Sequence, residues 1–196
     1  MLFRSVSQRW HSPFLVLVSC MLSLRTKDAT TIPASERLFA LGDTPKAIGK
    51  LTVKRIEKAV YPVGFYKTKA RNIKGICKSL LNSFDGKVPD EIDTLLTFKG
   101  VGRKTANLVL AQGFGKPAIC VDTHVHRIVN RLGVIKSDNP TQSEYALREV
   151  LPQNFWIEIN DIFVIFGRTL CKPISPICSA CGIRGLCKRI GVNKSR

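Results

Sequence analysis

The chain has 196 residues, 44% of them hydrophobic, enough to bury a core in one compact unit or two small lobes and too many for a disordered tail. Its 31 Lys and Arg against 14 Asp and Glu leave a formal charge of +17, a self-repulsion from which core packing gains nothing. A polyanionic partner explains that charge most simply, nucleic acid before an anionic membrane surface.

Arg4 and Arg9 precede an apolar run from Pro13 to Leu22. The run is too short to span a bilayer, and no small-residue cleavage site follows before Arg25, Lys27 and Asp28, so a buried helix is predicted. Further along, Tyr66, Ala70, Ile73, Cys77, Leu80 and Leu81 form an apolar stripe at helical spacing. Lys67, Arg71, Lys74 and Lys78 form a second stripe with no acidic partner inside it, which predicts a basic helix face lying near phosphate or in solvent.

The most informative stretch runs from Leu95 to Leu110, where Gly100 and Gly102 sit between an apolar helix end and an apolar helix start. Two glycines there allow a tight turn with positive φ and leave amides uncovered at the positive end of the next helix. A lone Gly-x-Gly would read as an ordinary tight turn between helices, but the whole pattern matches a helix-hairpin-helix, so Gly100, Val101, Gly102, Arg103 and Thr105 are expected to hold a DNA phosphate. Asp122 follows the apolar Ala118-Ile119-Cys120-Val121 and opens a helical segment, the usual place of an N-cap. Thr141-x-x-Glu144 reads as a capping box for a helix ending before Pro152, and Phe155 to Leu170 as an apolar stretch fit for the interior. Turn residues mark Gly86, Pro89, Gly115-Lys116-Pro117 and Asn139-Pro140. The class is all-α, with two lobes joined near residue 116.

Of the seven cysteines, Cys20, Cys77 and Cys120 lie in apolar contexts, while Cys171, Cys178, Cys181 and Cys187 crowd into the last 26 residues. That pattern predicts core thiols plus a metal site in a reducing compartment rather than a disulfide framework. The spacing Cys-x6-Cys-x2-Cys-x5-Cys suits tetrahedral zinc or a [4Fe–4S] cluster, and the single Cys-x2-Cys pair favours iron–sulfur.

Gly100-Val101-Gly102-Arg103-Lys104-Thr105-Ala106-Asn107, followed by Val121-Asp122-Thr123-His124 and Arg127, resembles the helix-hairpin-helix DNA glycosylases, most closely their endonuclease III branch. The likeness covers nearly the whole chain: Ser12-Pro13-Phe14, Leu22 to Asp28, Gly64-Phe65-Tyr66, Lys69-Ala70 and the cysteine cluster all take part. It implies a two-lobed fold, with a six-helix barrel over residues 5–116 and an iron–sulfur cluster lobe over residues 117–196 joined by residues 1–4. The family usually has a further helix before Ser12, where this chain has about ten residues; either the cluster lobe lacks a packing partner or the start lies upstream.

The resemblance also implies roles. Lys104 stands at the position of the lyase lysine and Asp122 at that of the pocket aspartate; without the resemblance, Lys104 in a basic hairpin reads first as a phosphate contact and Asp122 as a helix N-cap. Phe65 falls where an apolar wedge enters the base stack, and Arg25 where many members have a Gln reaching into the space left by the flipped base. His124 is a further DNA-contact candidate, with packing or capping as its ordinary alternative, and His126 is weaker still. Cys171, Cys178, Cys181 and Cys187 would ligate a [4Fe–4S] cluster that fixes the loop from Lys172 to Ile177 and the basic tail of Arg184, Lys188 and Arg189. The implied activity is that of a bifunctional glycosylase and abasic-site lyase, a monomer acting on oxidised pyrimidines in double-stranded DNA with no membrane partner. A mismatch-type monofunctional glycosylase on the same fold, and a non-catalytic DNA-binding module with a zinc knuckle, are the alternatives.

Overall fold

The computed structural model describes residues 9–196. The assignment of residues 1–4 to the cluster lobe, the barrel's start at Ser5 and the place of Arg4 lie outside them. The described residues are helical without a strand, in two compact units that meet in sequence between Lys116 and Pro117.

The first unit is organised around α1 (Pro13–Ser23), which is buried along nearly its whole length, from Phe14 through Leu17 to Leu22. Pro13 starts it, where a missing N–H costs nothing, and its apolar sequence on every side allows neighbours all round. Those neighbours are α2 (Asp28–Phe39), α5 (Tyr66–Ser83), α7 (Arg103–Leu108) and the π-turn Val109–Gly113 that continues α7. No helix among the described residues is long and apolar enough to cross a membrane. Gly113 lets this π-turn approach α1, since a Cβ there would lie 2.9 Å from the Pro13 backbone.

Two short helices, α3 (Pro45–Lys50) and α4 (Val53–Val60), complete the packing against α5 and α2, each opened by a threonine N-cap: Thr44 accepts from the Ala47 amide and Thr52 from the Arg55 amide, both at 3.2 Å. The helix α6 (Ile92–Leu96) precedes the hairpin. In α5 the apolar stripe holds at Ala70, Ile73, Cys77 and Leu80, but Leu81 is exposed and Lys69 is buried. The basic stripe is divided as well. Lys67, Arg71 and Lys78 are exposed, whereas the Lys74 ammonium turns back to donate to the carbonyls of Gly49 and Leu51 at the end of α3, the latter at 2.6 Å. It caps a helix in place of facing phosphate, because the last carbonyls of α3 have no amide partners of their own.

The second unit packs α8 (Thr123–Leu132), α9 (Pro140–Val150) and α10 (Ile159–Thr169) around Ile119, Val121, Val125, Val129, Leu147 and Ile159. α8 stops at Gly133 (φ +75°), where a Cβ would also meet the Lys188 side chain at 2.4 Å. Two expectations are corrected here. The cap of α9 is Asn139, whose side chain accepts from the Gln142 amide at 3.0 Å while Gln142 Oε1 accepts from the Asp138 amide; Glu144 lies one turn inside and pairs with Arg148 at 2.9 Å. Pro140 decides this, being a good first helical residue, so the cap must precede it. The stretch from Phe155 to Leu170 is not uniformly interior: a 3-10 turn at Gln153–Phe155 leads into α10, in which Ile159, Asn160 and Gly167 are buried while Ile162 and Ile165 are exposed. Its apolar content does not repeat at one helical face.

Replacing Lys74 with Met keeps the stem and removes the ammonium from two carbonyls. Urea unfolding of Lys74→Met is expected to show a loss of about 1–3 kcal/mol, with DNA affinity within about twofold of wild type. Unchanged stability together with weakened DNA binding would return Lys74 to the DNA-facing stripe.

Candidate nucleic-acid interface and catalytic residues

The hairpin between α6 and α7 is built from the inside outward. Phe98 is buried and meets Phe84 edge to face at 5.7 Å between centroids, and the Val101 amide donates to the Phe98 carbonyl at 3.0 Å, closing the turn. The two glycines differ from expectation. Only Gly100 has a positive φ (+88°), and a Cβ there would lie 2.6 Å from Asn72 Nδ2. Gly102 has φ −104°, is the N-cap of α7 and would meet no protein atom within 4 Å if it carried a Cβ. Gly100 thus answers an internal constraint. Gly102 suits its place as an N-cap, and no described residue crowds it, which leaves room for another molecule to approach closely.

Val101 and Thr105 are buried, so their side chains hold the hairpin while their backbone lies at the turn. Arg103 is half-buried, and Lys104 is exposed in the first turn of α7. Among the described residues the Lys104 ammonium makes no hydrogen bond or ion pair. It does stand close enough to the buried thiol of Cys20 on α1 to act on it electrostatically, opposing the burial that pushes Cys20 up to about 12.

Arg25 and Phe65, 40 positions apart in sequence, are neighbours in the first unit. The Arg25 guanidinium lies 5.9 Å from the centroid of the Phe65 ring, and Phe65 is 64% exposed. Both have left-handed backbones, with φ +54° and +57°. For non-glycine residues that conformation costs about 1–3 kcal/mol each and persists only where surroundings impose it. The surroundings are visible: the Gly64 amide donates to Thr26 Oγ1 at 3.1 Å, and a Cβ on Gly64 would press on the Arg25 carbonyl at 3.1 Å. The Lys69 ammonium donates to the carbonyls of Leu22 (2.8 Å) and Leu24 (2.6 Å) and to Thr26 Oγ1 (3.4 Å). The resemblance covered Lys69 without giving it a role. The signal was there in a lysine falling on the face that Ala70, Ile73 and Ile76 bury.

In the second unit Asp122 caps α8, with Oδ1 accepting from the amides of His124 (2.8 Å) and Val125 (2.9 Å). Both bonds use one oxygen, so Oδ2 is not needed for the cap. His124 is half-buried against α10: its Nδ1 lies 3.1 Å from Arg127 Nη2, and a Cβ on Gly167 would come within 2.4 Å of that nitrogen. His126 lies in a polar network, its Nδ1 2.6 Å from Ser143 Oγ. Both histidines pack within this unit.

The four C-terminal cysteines line one pocket, together with Arg131 and Ile177. Arg131 Nη1 donates toward Cys171 Sγ at 3.5 Å and the Arg189 amide toward Cys187 Sγ at 3.4 Å, while the Cys187 thiol points to the Arg131 carbonyl. These N–H groups suit sulfurs that carry negative charge. Among the described residues no group of three or more His, Cys, Asp or Glu side chains is arranged to hold a metal ion as it stands. The donor chemistry nevertheless fits a four-thiolate group, because all four thiols face a common pocket. Arg127 and Arg131 hold the loop that starts there, donating to the carbonyls of Cys171 (2.8 Å), Lys172 (2.6 Å) and Pro173 (2.6 Å). By contrast Cys20 and Cys77 are buried thiols pushed up to about 12, unsuited to ligation.

Comparison with known proteins is consistent along the chain. Residues 18–153 match the model of the HhH-GPD superfamily of base excision DNA repair proteins. Endonuclease III of Thermotoga maritima is 45% identical over 176 residues, covering 90% of this chain and 83% of that protein. The chloroplastic endonuclease III homolog 2 of Arabidopsis thaliana is 43% identical over 183 residues; the chain spans 47% of its length. Among solved structures, a trapped endonuclease III–DNA covalent intermediate superimposes with a TM-score of 0.86 at 35% identity, covering 94% of this chain and 87% of that one. With the hairpin, the capped aspartate and the cysteine pocket in place, the chain belongs to the endonuclease III family of HhH-GPD base excision DNA repair proteins.

Proposed function

We propose that the protein is a bifunctional DNA glycosylase and abasic-site lyase that removes oxidised pyrimidines from duplex DNA, with Lys104 as nucleophile and Asp122 as catalytic carboxylate. The observation that carries this reading is the exposed amine of Lys104 in the first turn after the hairpin, which makes no hydrogen bond or ion pair among the described residues. An amine that no internal partner holds is available to react with the sugar, as a nucleophile must be. The T. maritima protein is itself named an endonuclease III, and the superimposed structure is a covalent complex with DNA.

In this reading the first unit is the barrel that carries the hairpin, and the second is the cluster lobe. The backbone of Gly100 to Arg103 holds a phosphate, and Phe65 and Arg25 enter the duplex as the damaged nucleotide leaves the stack. The deprotonated Lys104 amine forms a bond to the sugar C1′ while the glycosidic bond breaks, and the base departs with the bonding electrons and gains a proton. Ring opening yields a Schiff base; loss of the C2′ proton then expels the 3′ phosphate. The Asp122 carboxylate stabilises positive charge on the sugar and assists the proton transfers. Cys171, Cys178, Cys181 and Cys187 would hold a [4Fe–4S] cluster, which supplies cross-links between the loop after α10 and the C-terminal tail.

Borohydride is expected to trap the wild type on duplex DNA containing an abasic site. Lys104→Gln should abolish trapping and nicking yet bind DNA within about threefold of wild type, because the hairpin amides remain; Asp122→Asn should slow base release by about a hundredfold or more and retain binding. Trapping of Lys104→Gln at the wild-type level would place the nucleophile elsewhere.

Two further outcomes test the supporting parts. Gly102→Thr, which keeps a residue suited to the N-cap, should lower affinity for every duplex about tenfold or more with little change in melting temperature, whereas Gly100→Ala should lower the melting temperature through the strain of a side chain at φ +88°. Equal effects of both on stability would remove the argument for a phosphate at Gly102. Changing any one cluster cysteine to Ser should reduce iron content and visible absorbance and destabilise the second unit; full absorbance in such a variant would exclude that residue as a ligand.

A further inference from the structure

The two strained residues assigned above to the duplex, Arg25 and Phe65, sit on different segments, the turn after α1 and the turn before α5. Both side chains are exposed, and polar bonds tie the two turns together: the Gly64 amide to Thr26 Oγ1, and the Lys69 ammonium to three oxygens around Arg25. Lys69, one turn into α5 from Phe65, is buried and extends its ammonium to the end of α1. It reaches the Leu22 and Leu24 carbonyls, which are among those a helix end leaves without amide partners, and Thr26 Oγ1, which in turn receives the Gly64 amide. The three bonds bracket Arg25 on both sides in sequence.

We propose that Lys69 is a positioning residue for base extrusion: its ammonium locks the Arg25 turn to the Phe65 turn, holding both residues in left-handed conformations and side by side before DNA arrives. Three oxygen acceptors around one ammonium define its place in all directions, as an apolar contact would not. Burial pulls Lys69 down to about 8, so the group is still charged at neutral pH, and the three oxygens favour that charged form. Gly64 belongs to the same device, because its missing side chain lets the two turns meet at the Arg25 carbonyl. A pair held in advance spends no binding energy on being ordered when it enters the stack, and a displacement of about 1 Å can cost about a hundredfold in rate. Lys74, the same residue type capping α3 from the same helix, supplies an internal comparison with a cap that carries no strained pair.

The proposal rests on the reading of Arg25 and Phe65 as the groups that enter the duplex, and the experiment separates the two. Single-turnover base release is measured on a duplex with thymine glycol opposite 2-aminopurine, whose fluorescence reports insertion, and borohydride trapping on a duplex with a preformed abasic site, which has no base to extrude. Lys69→Met is expected to lose about tenfold or more in base release and most of the fluorescence rise, while trapping falls by no more than about threefold. Lys69→Arg, which keeps a buried charge and several donors, should recover much of both, and Gly64→Ala should reproduce the defect in weaker form. Lys74→Met should lose stability without this selective pattern. Wild-type fluorescence and base release in Lys69→Met, alongside defective Arg25→Ala and Phe65→Ala, would overturn the role of Lys69 alone. A loss of equal size in base release and trapping would make Lys69 merely structural and also overturn it. Should Arg25→Ala and Phe65→Ala themselves extrude the base at the wild-type rate, the underlying reading fails and the proposal with it.

Discussion

Cationic side chains that satisfy the carbonyls at helix ends are the interaction on which most of this structure depends. An α-helix leaves its last four carbonyls without amide partners, and the negative end of its dipole attracts a cation there. In the first unit Lys69 serves the end of α1, Lys74 the end of α3 and Arg37 the end of α4, where it donates to the carbonyls of Ala59 and Tyr61. In the second, Arg127 reaches the Gly167 and Cys171 carbonyls at the end of α10, and Arg131 continues to Lys172 and Pro173. The helices are short, several of only five to eight residues, so a large fraction of their backbone is terminal and the demand for such donors is high. Part of the +17 charge is therefore internal structure, and only the remainder is available to a polyanion.

The residues proposed to act on DNA or to hold the cluster include several at helix termini. Arg25 follows the end of α1 that Lys69 holds, Lys104 opens α7, Asp122 opens α8, and Cys171 follows the end of α10 that Arg127 holds. Helix ends offer what such chemistry requires: side chains that leave the packed face, amides or carbonyls free to meet a ligand, and a backbone whose direction is nonetheless fixed. The strain at Arg25 and Phe65 is sustained by the same ties, which is why two exposed residues can keep conformations that an isolated chain would abandon.

Asp122 shows how a structural task can coexist with the chemical one proposed for it. The cap uses a single carboxylate oxygen for two amides, so the residue is oriented by the helix it opens while its second oxygen is spared. A carboxylate held in this way needs no reorganisation when charge develops near it, the condition under which electrostatic stabilisation is most effective. In the hairpin the two glycines differ: Gly100 meets internal limits in its positive φ and in Asn72, whereas no described residue crowds Gly102.

The sequence by itself determined the all-helical class, the hairpin with its lysine, the cap at Asp122 and the grouping of the four C-terminal cysteines, because each is written in residues a few positions apart and obeys local rules of spacing and capping. It did not determine which of two like residues does which work. Lys74 looked like its stripe-mates Lys67, Arg71 and Lys78, and Lys69 had no stated role, since their carbonyl partners lie 23 to 47 positions away and no local pattern announces a bond across that distance. Likewise Gly100 and Gly102 differ in backbone conformation and in the closeness of Asn72 on another helix, and Ile162 and Ile165 of α10 stay exposed despite their apolar character. Those distinctions came from tertiary structure alone, because a buried charge takes its meaning from the oxygens that folding brings to it.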